Sequence, residues 1–564
     1  MIETLEEVEF ETRTVGPLVL TTPFLRNLEL TEIVDRLCPV GEQADMGYGV
    51  VAEMVVQCRL TEARALYDMV DWAERYDLTA LYEELDEAEQ LNDDRVGRML
   101  DAIYDKRAMI WGELVGRASR LYELEMSRLH ADTAPIKFAG LFANQPEAEE
   151  EVARLEPGYN PQGEWVQQLK LFALASGDGG LPVWFDALSG GEGDSPNYVP
   201  QFEAFSQHAQ LATLLPLEEI IVLGDRKMPT EDNQLAWLRL EVGYIGPITM
   251  QDHHRQTLEE LLKQGEEWTA LPYVAKREAH KKKEERTIYQ GVGHRVTLTD
   301  PESGEQYPVR HLYIRSSALA QREAKRRDDQ LQAIETEIQR IQGLVNKYDY
   351  KTAEIIVQRV QQKAFKKRAA QRYFELKVVE HPDRPHSPLE LLYTVDQPQI
   401  AQDSEFDGIY LLVAGGPATT DLDDATLLQE WKGQYKVEHC FRLTNQLFLV
   451  GPLFLKTPRR IVSLIFLIMV GSLLAGLIER QIHRALAERQ EPIHGLMPEG
   501  RDHLKPTVSR ILQTFAHYSI VHIRLPDGSL AGHHFAKLDT VQQQILDALG
   551  LPSPAELFAR PVTG

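Results

Sequence analysis

The chain has 564 residues, 43% of them hydrophobic and 26% charged, enough for a large core in three to four domains at roughly 150 residues each. Its formal net charge of -26 argues against a general nucleic-acid binder, because neutralising phosphates calls for a surplus of Lys and Arg. Cys38, Cys58 and Cys440 are too few and too scattered for a disulfide scaffold or a zinc cluster, and the acidic start MIETLEEVEF lacks the plan of a secretory signal, so a reducing, cytoplasmic setting is expected.

Residues 1–110 read as largely helical: AEMVVQCRL, TEARALYDMVDWAERY and the run from Asp93 past residue 120 carry apolar positions three and four apart. The texture changes near residue 127. RLHADTAPIKFAG reads as a strand carrying Asp132. WVQQLKLFALAS and LPVWFDALSG read as two strands across the turn GDGG. A helix is expected from Tyr198 to about Leu215, then a buried strand, EEIIVLGDRKM, ending at Asp225. Thr230 is a plausible N-cap with Asn233 at the third helical position, and the short strand GYIGPI follows. Three strands, helix, strand, helix, strand is the element order of the ribonuclease H-like fold.

Residues 265–410 interrupt that order. RTIYQGVGHRVTLTD and EQYPVRHLYIRSS alternate like paired strands, and a long charged helix follows, with Leu331, Ile334, Ile338 and Ile341 in one apolar stripe suited to a helical hairpin or a partner. QRYFELKVVE, LELLYTVDQ and EFDGIYLLVAGG read as further strands. DLDDATLLQEWKGQYKVEHCFRL reads as a helix, and SIVHIRLPDGSLAGHHF as a strand pair turning at Asp527-Gly528. Charge is uneven: residues 1–107 hold 25 acidic and 10 basic side chains, whereas residues 271–370 hold 21 basic and 13 acidic. An acidic protein can therefore still carry a local basic path. Residues 461–478, IVSLIFLIMVGSLLAGLI, are uncharged and near the lower length for spanning a bilayer; a helix buried on all sides reads the same way.

Asp132 within a strand and Asp225 at a strand's carboxyl end are costly placements unless paired or metal-bound. Carboxyl ends of strands are the usual functional edge of an α/β sheet. Two such Asp residues and a Glu from a packed helix would make an oxygen-rich site for Mg²⁺, and two ions about 4 Å apart could activate an attacking oxygen and stabilise a leaving one. Among 86 acidic residues, residue type alone does not single out a trio.

The segment YKVEHCFRLTNQLFLVGPLFLKTPRRI does so by resemblance. With Tyr435, Glu438, Phe441, Arg442 and Phe454 through Ile461, followed by Leu477-Ile478-Glu479-Arg480, it resembles the closing signature of bacterial insertion-sequence transposases of the DDE class, in the branch with a large insertion before the catalytic Glu. HADTAP around Asp132, the strand–turn–strand LKLFALASGDGGLPVWFDALSG and IIVLGDRKM with Asp225 occur in the family's order.

The resemblance implies an α/β fold: a ribonuclease H-like mixed-sheet core interrupted by an α+β insertion domain, with a helical N-terminal domain. It divides the chain into a helical domain at 1–120 that could bind DNA ends, core segments at 121–264 and 416–490, an insertion at 265–415 and a C-terminal extension at 491–564. It implies Asp132, Asp225 and Glu438 as catalytic ligands of Mg²⁺, with Mn²⁺ able to substitute, and Tyr435, Arg442 and Lys456 as DNA contacts. The activity implied is phosphodiester cleavage and strand transfer. The partners are double-stranded DNA at terminal inverted repeats and target DNA, with the chain a homodimer in the DNA complex; no membrane is involved, since the apolar helix is buried beside the core. Without metal, converging carboxylates should repel and hold a proton. Two departures bear on DNA grip. Asn445 stands where the family usually has Lys, and Gly158-Tyr159-Asn160-Pro161-Gln162-Gly163-Glu164 lacks the cation found in relatives. These leave a catalytically weakened or inactive transposase-derived DNA-binding protein as the alternative.

Overall fold

The computed structural model describes residues 8–558 apart from 42–43, 63, 79–80, 83–84, 86, 138–151, 160–162, 211–212, 449–456, 498 and 500–503. They form two compact units. The first comprises residues up to Gly246 with Gly415–Thr420 and Glu430–Gly564; the second comprises Pro247–Ala414 with Asp421–Gln429. The architecture is mixed α/β, a large mixed sheet with flanking helical regions.

In the first unit the central strand is Arg128–Lys137. Trp165–Ser176 pairs with it antiparallel, and Pro182–Ser189 pairs antiparallel with that strand in turn. The turn between these two is left-handed at Gly179 and Gly180, with φ of 76° and 64°, and a Cβ on Gly180 would fall 2.4 Å from the Lys436 carbonyl oxygen. On the other side Ile221–Leu223 and then Gly243–Ile248 pair in parallel. Between them lies the helix Glu231–Arg239, where the Thr230 side chain accepts from the Asn233 N–H at 3.3 Å, the cap expected from sequence.

The helix Pro458–Arg489 runs through this unit. Pro458 suits a first helical position because its missing N–H would have no partner there. The most apolar 18-residue window of this helix is entirely buried within the protein. Helices Tyr48–Thr61 and Asp93–Tyr104 pack along it. The apolar run is thus spent on core packing, with Ser463 donating to the Leu100 carbonyl at 2.7 Å.

Helical periodicity hides a strand at the start of the chain. Glu9–Thr14 pairs antiparallel with Ser519–Arg524, which pairs with Leu530–Phe535 around a left-handed Gly528. Its burial does not alternate as a strand's usually does, and its partner is 513 positions away at the Glu11–Arg524 contact.

In the second unit Tyr289–Thr299 and Gln306–Ser316 form the expected hairpin, flanked by Thr269–Leu271 and Ile409–Gly415. The helix Ser317–Gln342 buries Ile334, Ile338 and Ile341 against Ile356, Val360, Tyr373 and Leu391, with Leu331 at the margin. The apolar stripe is therefore used inside the chain, against the helix Ala353–Lys363 and the strand pair Phe374–Glu380 and Leu389–Val395.

Candidate active site

Parallel pairing brings Asp132 and Asp225 together. His130 is in register with Leu223. Asp132 lies two residues further along its strand and Asp225 two residues beyond Leu223, so the two acids meet just past the last paired residues. The strand bearing Asp225 stops at Leu223, two residues earlier than the sequence suggests, and Asp225 sits in the turn beyond it. Asp132 accepts from the Thr133 N–H at 2.8 Å. Asp225 accepts from the Lys227 N–H at 2.9 Å and from the Tyr198 hydroxyl at 3.1 Å.

Burial, with a smaller push from Asp225, raises the Asp132 carboxyl to about 7, against the pull of the Thr133 N–H and Lys227. Carboxylate repulsion, the cause expected from sequence, is secondary to desolvation. Burial beside Asp225 and Asp132 holds the Tyr198 phenol well above its ordinary value, so it remains a donor. Three further residues belong to this constellation. Asp194 pairs with Lys170 at 2.9 Å and with Lys227. Burial pushes the Asp194 carboxyl up, but hydrogen bonds from the two lysines outweigh it and leave it below the ordinary value. The only sequence signal for Lys227 was its place two residues beyond Asp225; Asp194 and Tyr198 had none.

A pH dependence follows. Asp132 ionises at 3.8 ordinarily and at about 7 in the fold. The folded protein therefore holds a proton across that window that the unfolded chain has released, and stability falls as pH rises through it. Asp132→Asn is predicted to stabilise the protein by about 1–2 kcal/mol at pH 8, a figure reduced for partial exposure, and by less at pH 5. Urea denaturation at the two pH values checks this; an equal gain at both would refute it.

The helix Tyr435–Phe448 follows the short turn Lys432–Gln434, so the single helix expected over this region is broken. Tertiary bonds explain the break: Gln434 donates to the Ala131 carbonyl at 2.9 Å and bonds His130 Nδ1 at 3.2 Å. Burial drops the His130 imidazole to about 3, so it is neutral scaffolding. Glu438 lies one turn further on and is exposed. Among the described residues, no group of three or more His, Cys, Asp or Glu is placed to hold a metal ion. The Asp132–Asp225 pair by itself fits a hard cation, since Mg²⁺ is content with one or two carboxylates plus waters.

Tyr435 is about half exposed. Arg442 is exposed but turns to His439, whose Nε2 pairs with Glu479 at 3.3 Å. Glu479 also accepts from the Val508 N–H at 2.8 Å. Lys456 lies outside the described residues. Arg480, next to Glu479, bonds Asp178 in the Gly turn and the carbonyls of Tyr122 and Glu123. The Glu-Arg pair of the closing signature thus ties the apolar helix to its surroundings.

Residues 10–110 match a family described as a domain of unknown function, DUF4277. No curated protein matches the chain. Among solved structures it is similar to one described as a cryo-EM structure of piggyBac transposase synaptic complex with hairpin DNA. There the identity is 8%, coverage is 90% of this chain and 82% of that one, and the TM-score is 0.33. It is also similar to one described as the Mos1 transposase paired-end complex with left transposon end, at 15% identity over 31% of this chain and 55% of that one, with a TM-score of 0.14. Both scores are too low to show a shared fold.

Proposed function

We propose that this chain is a transposase-derived DNA-binding protein on a ribonuclease H-like core, with a weakened catalytic centre. The observation that carries the reading is the strand order: Pro182–Ser189, Trp165–Ser176, Arg128–Lys137, Ile221–Leu223, Gly243–Ile248, the first three antiparallel and the last three parallel. That is the order expected of a ribonuclease H-like core, and it supports Asp132 and Asp225 as the first two acids of a DDE site. Glu438, which joins no three-carboxylate group among the described residues, favours weak catalysis over vigorous turnover. In this reading Arg442 and Tyr435 meet DNA backbone, and Asn445 leaves one phosphate without a cation.

A second reading, an active transposase, is favoured by Asp132 buried beside Asp225: ionising both would place like charges together in a desolvated site, which a divalent cation would relieve. Bound there, Mg²⁺ would supply charge neutralisation for phosphodiester chemistry; Asp132 and Asp225 would hold it and Tyr198 would keep Asp225 oriented.

The test uses duplexes taken from the DNA on either side of the gene, chosen for any inverted repeats there, against duplexes of unrelated sequence. Salt-dependent, end-specific binding is expected, unchanged by Asp132→Ala or Asp225→Ala, with little cleavage in Mg²⁺ or Mn²⁺. Efficient cleavage abolished by either substitution establishes the second reading. Absence of end binding at low salt defeats both.

A further inference from the structure

Away from the acidic pair, the first unit contains a cavity of about 670 Å³. Arg59 lines it, from the helix Tyr48–Thr61, which is buried almost all round. The other buried polar side chains of this helix are satisfied. Glu53 accepts from Tyr82 at 2.6 Å and from Thr31 at 2.7 Å, and Gln57 donates to Thr22 and Tyr82. Arg59 differs. It is 3% exposed, its Nε has no hydrogen bond, and no carboxylate pairs with it among the described residues. Burial pushes the guanidinium below its ordinary value, and only a smaller pull from the Cys58 thiol opposes it.

An unpaired buried cation is among the most costly arrangements a core can hold, unless an anion arrives. The cavity lining is suited to one. Arg510 spends its donors on neutral oxygens, the Leu496 carbonyl at 2.8 Å and Gln513 at 2.9 Å. Glu62 is held by Arg64 at 2.6 Å and Arg75 at 3.2 Å. Leu60, Leu443 and Leu447 give an apolar wall.

We propose that this cavity binds a small organic oxyanion, a carboxylate or phosphate head on a compact apolar body, with Arg59 as its anchor. The guanidinium fork matches both heads bidentately, and the volume is that of a small-molecule site. A guanidinium so deeply buried is out of reach of a duplex phosphate, which separates this site from any DNA surface. The proposal is independent of the transposase reading, since it uses neither Asp132 nor Asp225.

The test is calorimetric titration of the full chain with phenyl phosphate, benzoate, inorganic phosphate and benzyl alcohol. Phenyl phosphate or benzoate is expected to bind and benzyl alcohol not; which head binds tighter identifies the ligand class. Arg59→Met is expected to weaken binding at least tenfold while melting no lower than wild type, because it removes an unpaired charge. No binding of any oxyanion by the wild type overturns the proposal, as does unchanged binding by a folded Arg59→Met protein. If that variant unfolds, ¹⁵N spectra of the wild type decide: the Arg59 Nε–H resonance must move with ligand, and a resonance that stays still overturns the proposal.

Discussion

Replacing Arg480 with methionine is expected to lower stability by about 3–5 kcal/mol, with the urea midpoint falling accordingly. Methionine keeps an apolar stem of similar reach, so the change isolates the charged head. Arg480 is 7% exposed. It donates through Nε to Asp178 at 2.7 Å, to the Tyr122 carbonyl at 2.8 Å and to the Glu123 carbonyl at 3.0 Å. Those carbonyls end the helix Arg107–Tyr122, where Glu123 adopts a left-handed φ of 51° and the last turn has orphan acceptors. One guanidinium therefore helps close a helix terminus and pairs with the acid of the GDGG turn; the Tyr122 carbonyl keeps a bond from Arg484 at 3.3 Å and Asp178 keeps the Glu125 N–H at 3.1 Å, so the loss falls chiefly on the Glu123 carbonyl and the Asp178 charge. Arg484→Met is the control. Its pair with Glu123, at 3.3 Å, is exposed and should be worth under about 1 kcal/mol. A loss at Arg480 no larger than at Arg484 would refute the assignment.

The effect should reach the acidic pair. The GDGG turn follows the strand Trp165–Ser176, whose Ala173 is in register with Asp132. Loosening the turn frees the edge of the sheet that holds Asp132 in its desolvated position.

What the sequence made legible was local. The Thr230 cap, the GDGG hairpin, the Asp527-Gly528 turn and the Ile334–Ile338–Ile341 stripe each announce themselves within a few residues, and each is present. The order of the family's motifs singled out Asp132 within its strand and Asp225 past the end of its own, and the fold brings these two acids close together. Features set by distant partners were not legible. The strand Glu9–Thr14 exists because Ser519–Arg524 offers it an edge. The break before Tyr435 exists because Gln434 reaches Ala131 and His130. The resemblance marked Arg442 as a DNA contact, yet it is bonded to His439. Arg59 was invisible for the opposite reason: sequence shows a cation but not the missing partner.

The apolar run posed the widest choice, and Phe466→Ala decides how firmly the helix belongs to the core. A loss of about 3–5 kcal/mol is expected, the cost of a buried phenyl plus the cavity it leaves. Phe466 is fully buried, with ring centroids 6.3 Å from both Trp111 and Phe185. Trp111 meets Phe185 edge-on at 4.6 Å and donates to the Val183 carbonyl at 2.9 Å, so the three rings join an N-terminal helix, a sheet strand and the apolar helix. Close packing against the Trp111 and Phe185 rings leaves little room for relaxation, which favours the upper part of the range. In a double-mutant cycle with Trp111→Ala, a coupling of about 0.5–1.5 kcal/mol is expected, because each ring's worth depends on the other. Denaturation in detergent-free buffer provides the reading, and added micelles should leave the difference unchanged. A loss under about 1 kcal/mol, or one that appears only with micelles, would mean that Phe466 packs against something other than Trp111 and Phe185.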